Sequence, residues 1–314
     1  MKIAPLILFT YKRCDSLKDS IGSLCKCELS KESELIVFSD APKASGDKED
    51  VAEVRDYLHS IEHFKKVTII ERSENLGVDY NIINGLKEIS VKHESFIVIE
   101  DDLIYASNFL WFMNKALEFY SQMTEVMLIC AFSYVDKIPQ TYTYDTYVTK
   151  RSWPWGWASW GDRIKHVDWE VADYKRFSKD KKLQNEFNES GGSDLAIMLS
   201  HTMEGRMRTW DIRMFYYQFK SKLLTIYPTV SKTDNIGFHQ FASHTWGYNR
   251  YRVDLDKSNS KDFRFNKNLT INETINKEFL KKNNITNRIL TKLFSIFRMH
   301  RYEKLYDKLI TLLS

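Results

Sequence analysis

The chain has 314 residues, of which 43% are hydrophobic and 28% are charged, and this balance is that of a soluble folded protein with a large core. The net charge of +4 is too small for a nucleic-acid-binding footprint, so we expect no nucleic-acid partner. The cysteines lack the spacing of a zinc site and no apolar run reaches membrane-spanning length, so we expect free thiols and a cytoplasmic location.

Strands alternate with helices over the first hundred residues. Short apolar runs predict strands at 3–10, 34–39, 67–71 and 96–99, and apolar residues at helical spacing predict helices at 15–24, 48–64 and 80–89. This alternation predicts a mainly parallel sheet with helices on both faces. In sheets of this kind, the ligand binds at the carboxyl ends of the strands.

The second half of the chain is less regular. Helices are predicted at 107–121, 194–203 and 212–220, strands at 126–131 and 223–229, and loops at 152–160 and 231–244. Residues 250–284 are polar and show no clear pattern, whereas the last thirty residues are amphipathic. The sequence therefore predicts an α/β protein with a helical C-terminal segment.

An apolar strand ends abruptly in three acids, in the run Ile97-Val-Ile-Glu100-Asp101-Asp102. Buried carboxylates repel one another unless a cation compensates their charge. A hard divalent ion is the natural partner of such oxygen ligands, and it would neutralise a diphosphate bound beside them. The run therefore predicts a metal site, with a solvated acidic turn as the alternative.

Arg13 follows the first predicted strand and Asp40 follows the second, so both are expected at the same sheet edge as the three acids. An Arg can bind phosphate, and an Asp can accept a hydrogen bond from a uracil N–H or a ribose hydroxyl. Two unrelated surface charges are the alternative.

Asp211 is expected in the first turn of a helix. A carboxylate there can act as a general base toward a hydroxyl acceptor, although the position also suits an ordinary helix-start acid. The Trp-rich segment at 152–160 can form the floor of a sugar site around Gly156, or it can form an ordinary corner of the core.

Together these segments resemble a known family, the Golgi α-1,3-mannosyl-glycoprotein N-acetylglucosaminyltransferases and their bacterial relatives. The resemblance spans residues 3–244 and rests on the collinear order of Phe9-Thr-Tyr-Lys-Arg13, Val37-Phe-Ser-Asp40, Asn75-Leu-Gly77, Ile97-Val-Ile-Glu-Asp-Asp102, Trp155-Gly-Trp157, Thr209-Trp-Asp211 and Ser231-Lys-Thr-Asp-Asn235-Ile-Gly237 with His244. It implies the GT-A fold, in which a Rossmann-like nucleotide lobe is fused to an acceptor lobe. We therefore expect a nucleotide-sugar lobe at 1–105, an acceptor lobe at 106–250 and a C-terminal extension at 251–314.

The resemblance also implies an inverting, metal-dependent glycosyltransferase that acts on a hydroxyl of a glycan or lipid-linked glycan. Asp102 would be the protein ligand of Mn²⁺ or Mg²⁺, and Asp211 would be the catalytic base. The donor, expected to be a UDP-sugar such as UDP-N-acetylglucosamine, would be contacted by Arg13, Asp40, Asn81, Glu100, Asp101, Gly156, Trp157, Trp210 and His244. Asn81 stands where the animal enzyme has a His, which leaves nucleotide contacts from that helix open.

Two other classes of protein share some of these features. A nucleotidyltransferase acting on sugar phosphates also uses metal-binding carboxylates, but its glycine-rich first loop is missing, since Thr10-Tyr-Lys-Arg13 contains no Gly. A carbohydrate-binding protein without catalytic activity would account for the Trp-rich segment but not for the three acids.

The last thirty residues, 285–314, carry six Lys or Arg and two acids, an excess equal to that of the whole chain. Their apolar residues recur mostly at four-residue spacing, which predicts a helical stripe of Ile285, Ile289, Leu293, Phe297, Leu305, Leu309 and Leu313. Such a segment can dock on anionic lipid at the inner face of a membrane, on a twin subunit or on its own catalytic domain.

Overall fold

The computed structural model describes residues 1–238, 249–296, 305–306 and 308–310. Within these ranges the strands are β1 (Leu6–Thr10), β2 (Glu34–Ser39), β3 (Lys66–Glu71), β4 (Ser95–Glu100), β5 (Leu103–Tyr105), β6 (Val126–Cys130), β7 (Thr146–Thr149), β8 (Trp157–Trp160), β9 (Leu224–Pro228) and β10 (Thr233–Asn235). The α-helices are α1 (Cys14–Leu24), α2 (Lys48–His59), α3 (Gly77–Lys92), α4 (Phe109–Phe119), α5 (Gly161–Ile164), α6 (Tyr174–Phe177), α7 (Lys181–Gly191), α8 (Leu195–Met203), α9 (Asp211–Lys220), α10 (Glu273–Lys281) and α11 (Ile285–Ile296).

Eight of these strands form one sheet, in the order β3-β2-β1-β4-β8-β6-β9-β7. The four strands of the first half are parallel, and Leu6 of β1 lies opposite both Leu35 of β2 and Ile97 of β4. However, β8 runs antiparallel to β4 and β6, and β7 runs antiparallel to β9. In the described part of the chain the sheet is therefore mixed: the predicted mainly parallel arrangement is found in its first half and between β6 and β9, and the other pairs are antiparallel.

Strand β8 lies within the Trp-rich segment that the sequence predicts as a loop. It is inserted at the centre of the sheet between β4 and β6, and all four of its residues are buried. A strand covered on both faces has no polar alternation, which is why its pattern does not distinguish it from an apolar loop. The sequence suggests a lobe boundary at residue 105. Strand β4, which precedes this residue, pairs with β8, which follows it, so one sheet contains strands from both sides of the boundary.

Two hydrophobic cores cover the two faces of the sheet. Along β1, Leu6 and Leu8 join the core formed with α1, α2 and α4, whereas Ile7 and Phe9 join the core formed with α3, α8 and α9. Burial of these apolar surfaces is the main force that fixes the strand ends, and hence the polar residues that follow them, in one place.

The segment from 250 to 284, which has no clear sequence pattern, contains α10 and a stretch without regular secondary structure. Phe263 and Phe265 of that stretch pack on Phe112 of α4, with ring centroids 5.3 and 5.9 Å apart. A stretch without regular secondary structure places its buried side chains at no fixed period, so neither helical nor strand spacing could reveal it. None of the helices described here is long and apolar enough to span a bilayer.

Candidate functional site

Polar side chains gather where β1, β2 and β4 end. These strands are parallel neighbours, with Thr10 of β1 paired to Ser39 of β2 and Phe9 of β1 paired to Glu100 of β4. Arg13, Asp40 and the three acids therefore follow strands that finish at a common edge of the sheet. This edge is where the sequence predicts the ligand site.

Arg13 bridges two of the three acids. Its Nη1 donates to Asp102 Oδ2 at 2.9 Å, and its Nη2 donates to Asp101 Oδ1. Thr10 Oγ1 donates to the other oxygen of Asp101 at 3.3 Å. These hydrogen bonds hold the start of α1 against the end of β4. The guanidinium of Arg13 thus links the segments that follow β1 and β4.

Negative charge exceeds positive charge at this edge. Burial and repulsion from the Asp102 and Asp101 carboxylates raise the pKa of Glu100 well above its ordinary range. Burial also raises the pKa of Asp101 to about 6, against the opposing effect of Arg13. Asp211 lies close enough to raise the pKa of Glu100 further. In the described chain, Arg13 is the cation that contacts the acidic triplet directly.

A second, two-stranded sheet closes over Asp102. Strand β10 pairs antiparallel with β5, and Asn235 Nδ2 donates to Asp102 Oδ1 at 3.3 Å. The backbone N–H of Ile236 donates to the Asp102 carbonyl at 2.9 Å. A Cβ at Gly237 would lie 2.6 Å from Asp102 Oδ2, so a larger residue there would force the Asp102 carboxylate to move. Asp102 thus sits between Arg13 and the Asn235–Gly237 turn.

Asp211 is the first residue of α9 and is buried. Its Oδ1 accepts hydrogen bonds from the Thr209 hydroxyl and from the Ile212 N–H, the latter at 2.9 Å. Burial raises the pKa of Asp211, while Thr209 and the charge of Arg151 act in the opposite direction. Its charge acts on Glu100, so the fold places Asp211 near the acidic triplet although the two lie far apart in sequence.

The aromatic residues expected to contact the donor are packed on one another. Trp210 stacks on Trp157, with ring centroids 5.7 Å apart and planes inclined by 27°, and both side chains are buried. Gly156 has a φ of +80°, and a Cβ there would lie 3.0 Å from Thr233 Cγ2. These residues therefore form the wall between β8 and α9, and their contact with a donor sugar stays a prediction.

Asp40 and Asn81 make their described contacts with the chain itself. The Asp40 carboxylate accepts from the N–H groups of Leu76 and Gly77, both at 2.9 Å, and from Asn75 Nδ2 at 3.1 Å. Asn81 is buried, donates to the Phe38 carbonyl at 3.4 Å and accepts from Arg72 Nε at 3.2 Å. Asp40 thereby holds the turn that begins α3, and nucleotide binding by either residue remains a prediction. His244, the last of the expected donor contacts, lies outside the described residues.

No sequence pattern predicts a role for Thr10, Thr209, Asn235 or Gly237. Asn235 and Gly237 stand in a segment that carries the family resemblance, but only the pairing of β10 with β5 reveals their contact with Asp102. Thr209 lies two residues before Asp211, a spacing that allows its hydroxyl to bind the carboxylate. Among the residues that the structure describes, no three His, Cys, Asp or Glu side chains converge as a metal-ligand set.

No family model and no curated protein sequence matches the chain. Among solved structures, it is similar to a mannosyltransferase from Pyrobaculum calidifontis in complex with GDP-Man and Mn²⁺, with 11% identity, a TM-score of 0.42, and coverage of 70% of this chain and 69% of the other. It is also similar to S. aureus TarS 1–349, with 11% identity, a TM-score of 0.43 and coverage of 76% and 61%. For mouse xyloside xylosyltransferase 1 the identity is 10%, the TM-score 0.37 and the coverage 70% and 83%. Likenesses at this level assign neither a family nor an activity to the chain.

The raised pKa of Asp101 leads to a prediction about stability. Because a folded-state pKa of about 6 lies above the ordinary value of 3.8, folding of the wild type weakens as the pH rises through this window. Asparagine does not titrate, so we expect Asp101→Asn to gain about 1 kcal/mol in unfolding free energy, relative to wild type, between about pH 5 and about pH 7.5. Denaturant unfolding without divalent ions measures this gain.

The matched control is Asp15→Asn, which changes an exposed carboxyl on α1. We expect its effect on unfolding to be nearly the same at both pH values. If Asp101→Asn also has the same effect at both, the carboxyl of Asp101 does not titrate in this window and the charge excess described here is wrong.

Proposed function

We propose that the chain is an inverting, metal-dependent glycosyltransferase that moves a sugar from a nucleoside diphosphate to a hydroxyl of a glycan or lipid-linked glycan. The observation that supports this most strongly is the proximity of two chemically different features. One is the acidic triplet with its bridging Arg13, and the other is the separately held carboxylate of Asp211. Sugar transfer from a diphosphate needs both a cation-binding edge and a base.

The residues present fit a divalent cation held mainly by one protein carboxylate. Mg²⁺ and similar ions are commonly bound through one or two carboxylates together with substrate phosphates, rather than by a protein cage. Each oxygen of Asp102 accepts one described hydrogen bond, from Asn235 or Arg13, and a carboxylate oxygen has a second lone pair to offer. The uncompensated negative charge around it favours such an ion. When bound, Mn²⁺ or Mg²⁺ would neutralise the diphosphate leaving group.

Arg13 supplies positive charge at the place where a diphosphate would bind. Its side chain is 37% exposed while it pairs with Asp101 and Asp102, so it can also face a ligand. The two carboxylates raise its pKa despite burial, which keeps the side chain charged at every relevant pH. Arginine in this arrangement orients phosphate oxygens by charge-assisted hydrogen bonds.

Asp211 is suited to act as the base. The Thr209 hydroxyl and the Ile212 N–H both donate to Oδ1, and we assign Oδ2 to accept the proton of an incoming hydroxyl. The raised pKa of this carboxyl makes it a stronger base than an exposed Asp. In the proposed reaction the acceptor oxygen forms a bond to the anomeric carbon as the bond to the diphosphate breaks, and Asp211 takes the proton.

Asp102→Asn should lose metal-dependent turnover and keep its fold, because asparagine preserves the size of the side chain but removes its negative charge. The measurement is release of nucleoside diphosphate from a panel of nucleotide sugars, with UDP-N-acetylglucosamine as the first, in Mn²⁺ and in chelator. Wild-type activity in the variant, or wild-type turnover in full chelation, would contradict the proposal. Pyrophosphate release from a nucleoside triphosphate and a sugar phosphate would instead identify a nucleotidyltransferase.

Asp211→Asn should lose about 10²–10⁴-fold in turnover while binding the donor with nearly unchanged affinity, since it removes the base and preserves the shape. Turnover assays and calorimetry with the nucleotide sugar separate the two effects. Asp162→Asn, which changes an exposed acid in the first turn of α5, is the matched control and should keep full activity. Normal turnover of Asp211→Asn would remove this residue from the mechanism.

A single displacement reverses the configuration at the anomeric carbon. We therefore expect the product to have the opposite anomeric configuration to the donor, because only one carboxylate is assigned to act on the acceptor. Proton NMR of the anomeric signal in the product measures this. Retention of configuration would require a different mechanism and would rule out the role given to Asp211.

A further inference from the structure

The C-terminal helix α11 turns an apolar face outward. Its side chains Ile285, Ile289, Leu293 and Ile296 are 56%, 54%, 42% and 62% exposed. At 3.6 residues per turn, these four positions fall within a stripe about 80° wide along one side of the helix. Isolated exposed aliphatic residues are common, but an aligned row of this kind marks a surface that binds something.

The opposite face of α11 is held by specific contacts. Asn287 Nδ2 donates to the Lys281 carbonyl at 2.7 Å, and the Tyr306 hydroxyl donates to Asn287 Oδ1 at 2.6 Å. Phe294 is buried and packs edge-on against Tyr306 at 5.1 Å. Arg288 Nη1 donates to the Ser193 carbonyl at 3.0 Å, which ties the helix to the start of α8. The rotation of α11 is thereby fixed, and the aliphatic row is not the side that packs on the catalytic domain.

Positive charge borders this row. Helix α11 contains Arg288 and Lys292 and no acidic residue. On a helical projection, Lys292 lies about 20° and Arg288 about 60° beyond the edge of the row. The last thirty residues also hold an excess of basic over acidic residues equal to that of the whole chain. An aliphatic row with a basic border complements the acyl chains and phosphates of an anionic lipid surface.

A second copy of the chain fits this surface less well. A two-fold interface places the same patch of both subunits together. The basic residues that border the row would then meet those of the partner, with no acid on α11 to neutralise them. In a negatively charged bilayer, the headgroup phosphates can pair with the basic residues, and the acyl chains just below them can contact the aliphatic row.

We propose that α11 docks the protein on an anionic membrane surface, with Ile285, Ile289, Leu293 and Ile296 at the boundary between headgroups and acyl chains. Lys292, which is exposed, lies beside them at the level of the lipid phosphates, and Arg288 flanks it while its Nη1 holds Ser193. The helix is too short to span a bilayer and lies along its surface. This proposal rests on the helix alone and is independent of the proposed enzymatic function.

Vesicle flotation of the full chain tests the proposal. At low salt, the wild type should float with vesicles of equal parts phosphatidylcholine and phosphatidylglycerol, and should stay unbound with phosphatidylcholine alone. The double variant Ile289→Glu/Leu293→Glu should lose binding by about tenfold or more, because it puts two negative charges into the apolar row. Both side chains are exposed, so the variant should keep the thermal unfolding profile of the wild type.

The matched control is Val91→Glu, which makes the same type of change at a residue of α3 that is 74% exposed. It should float like the wild type. The membrane proposal is overturned if the wild type fails to bind anionic vesicles at low salt, or if wild type and double variant bind equally. A third result would also overturn it. If the wild type does not bind vesicles, and light scattering shows that it forms a dimer that the double variant does not form, the aliphatic row binds a second copy of the chain.

Discussion

The site depends on a partly compensated excess of negative charge at the end of β4. Three consecutive acids lie there, and a fourth, Asp211, approaches from a helix more than a hundred residues later in the chain. Arg13 neutralises part of this charge by bridging Asp101 and Asp102. A fold that only needed stability would pair these carboxylates fully or replace them with apolar residues. We propose that the remaining charge binds a cation, and through it a diphosphate.

The rest of the sheet serves to hold this charge in position. Strand β8 lies between β4 and β6 and joins the parallel half of the sheet to the rest. Its Trp157 stacks on Trp210, the residue that precedes Asp211 in the sequence. The pairing of β10 with β5 brings Asn235 onto Asp102. Each side of the acidic cluster is thus fixed by a different element, so the carboxylates cannot simply separate to relieve their repulsion.

Sequence reasoning predicted the first half of the fold well because its strands and helices have regular periods. The buried strand ending at Glu100, and the placement of Arg13 and Asp40 at the same edge, follow from the alternation of strands and helices alone. The antiparallel strand β8 could not be predicted from the sequence. All four of its residues, Trp157 to Trp160, are buried, so it shows no alternation of apolar and polar residues. The contacts of Asn235 and Gly237 with Asp102 depend on the pairing of β5 with β10. Each of these strands has three residues, and more than a hundred residues of chain separate them. The hydrogen bonds that the Asp40 carboxylate accepts from the N–H groups of Leu76 and Gly77 could not be predicted either. They join residues far apart in the chain and leave no local sequence signal.

The proposed role of the charge excess around Asp102 is to bind a divalent ion together with a diphosphate. Electron paramagnetic resonance of free Mn²⁺, titrated with the protein in the absence and presence of UDP, tests it most directly because it requires no acceptor and no turnover. We expect weak Mn²⁺ binding by the protein alone and much tighter binding of Mn²⁺ by protein and UDP together than by either one. If the amount of Mn²⁺ bound by the mixture equals the sum of the amounts bound by protein and by UDP separately, and other nucleoside diphosphates behave alike, the claim is contradicted.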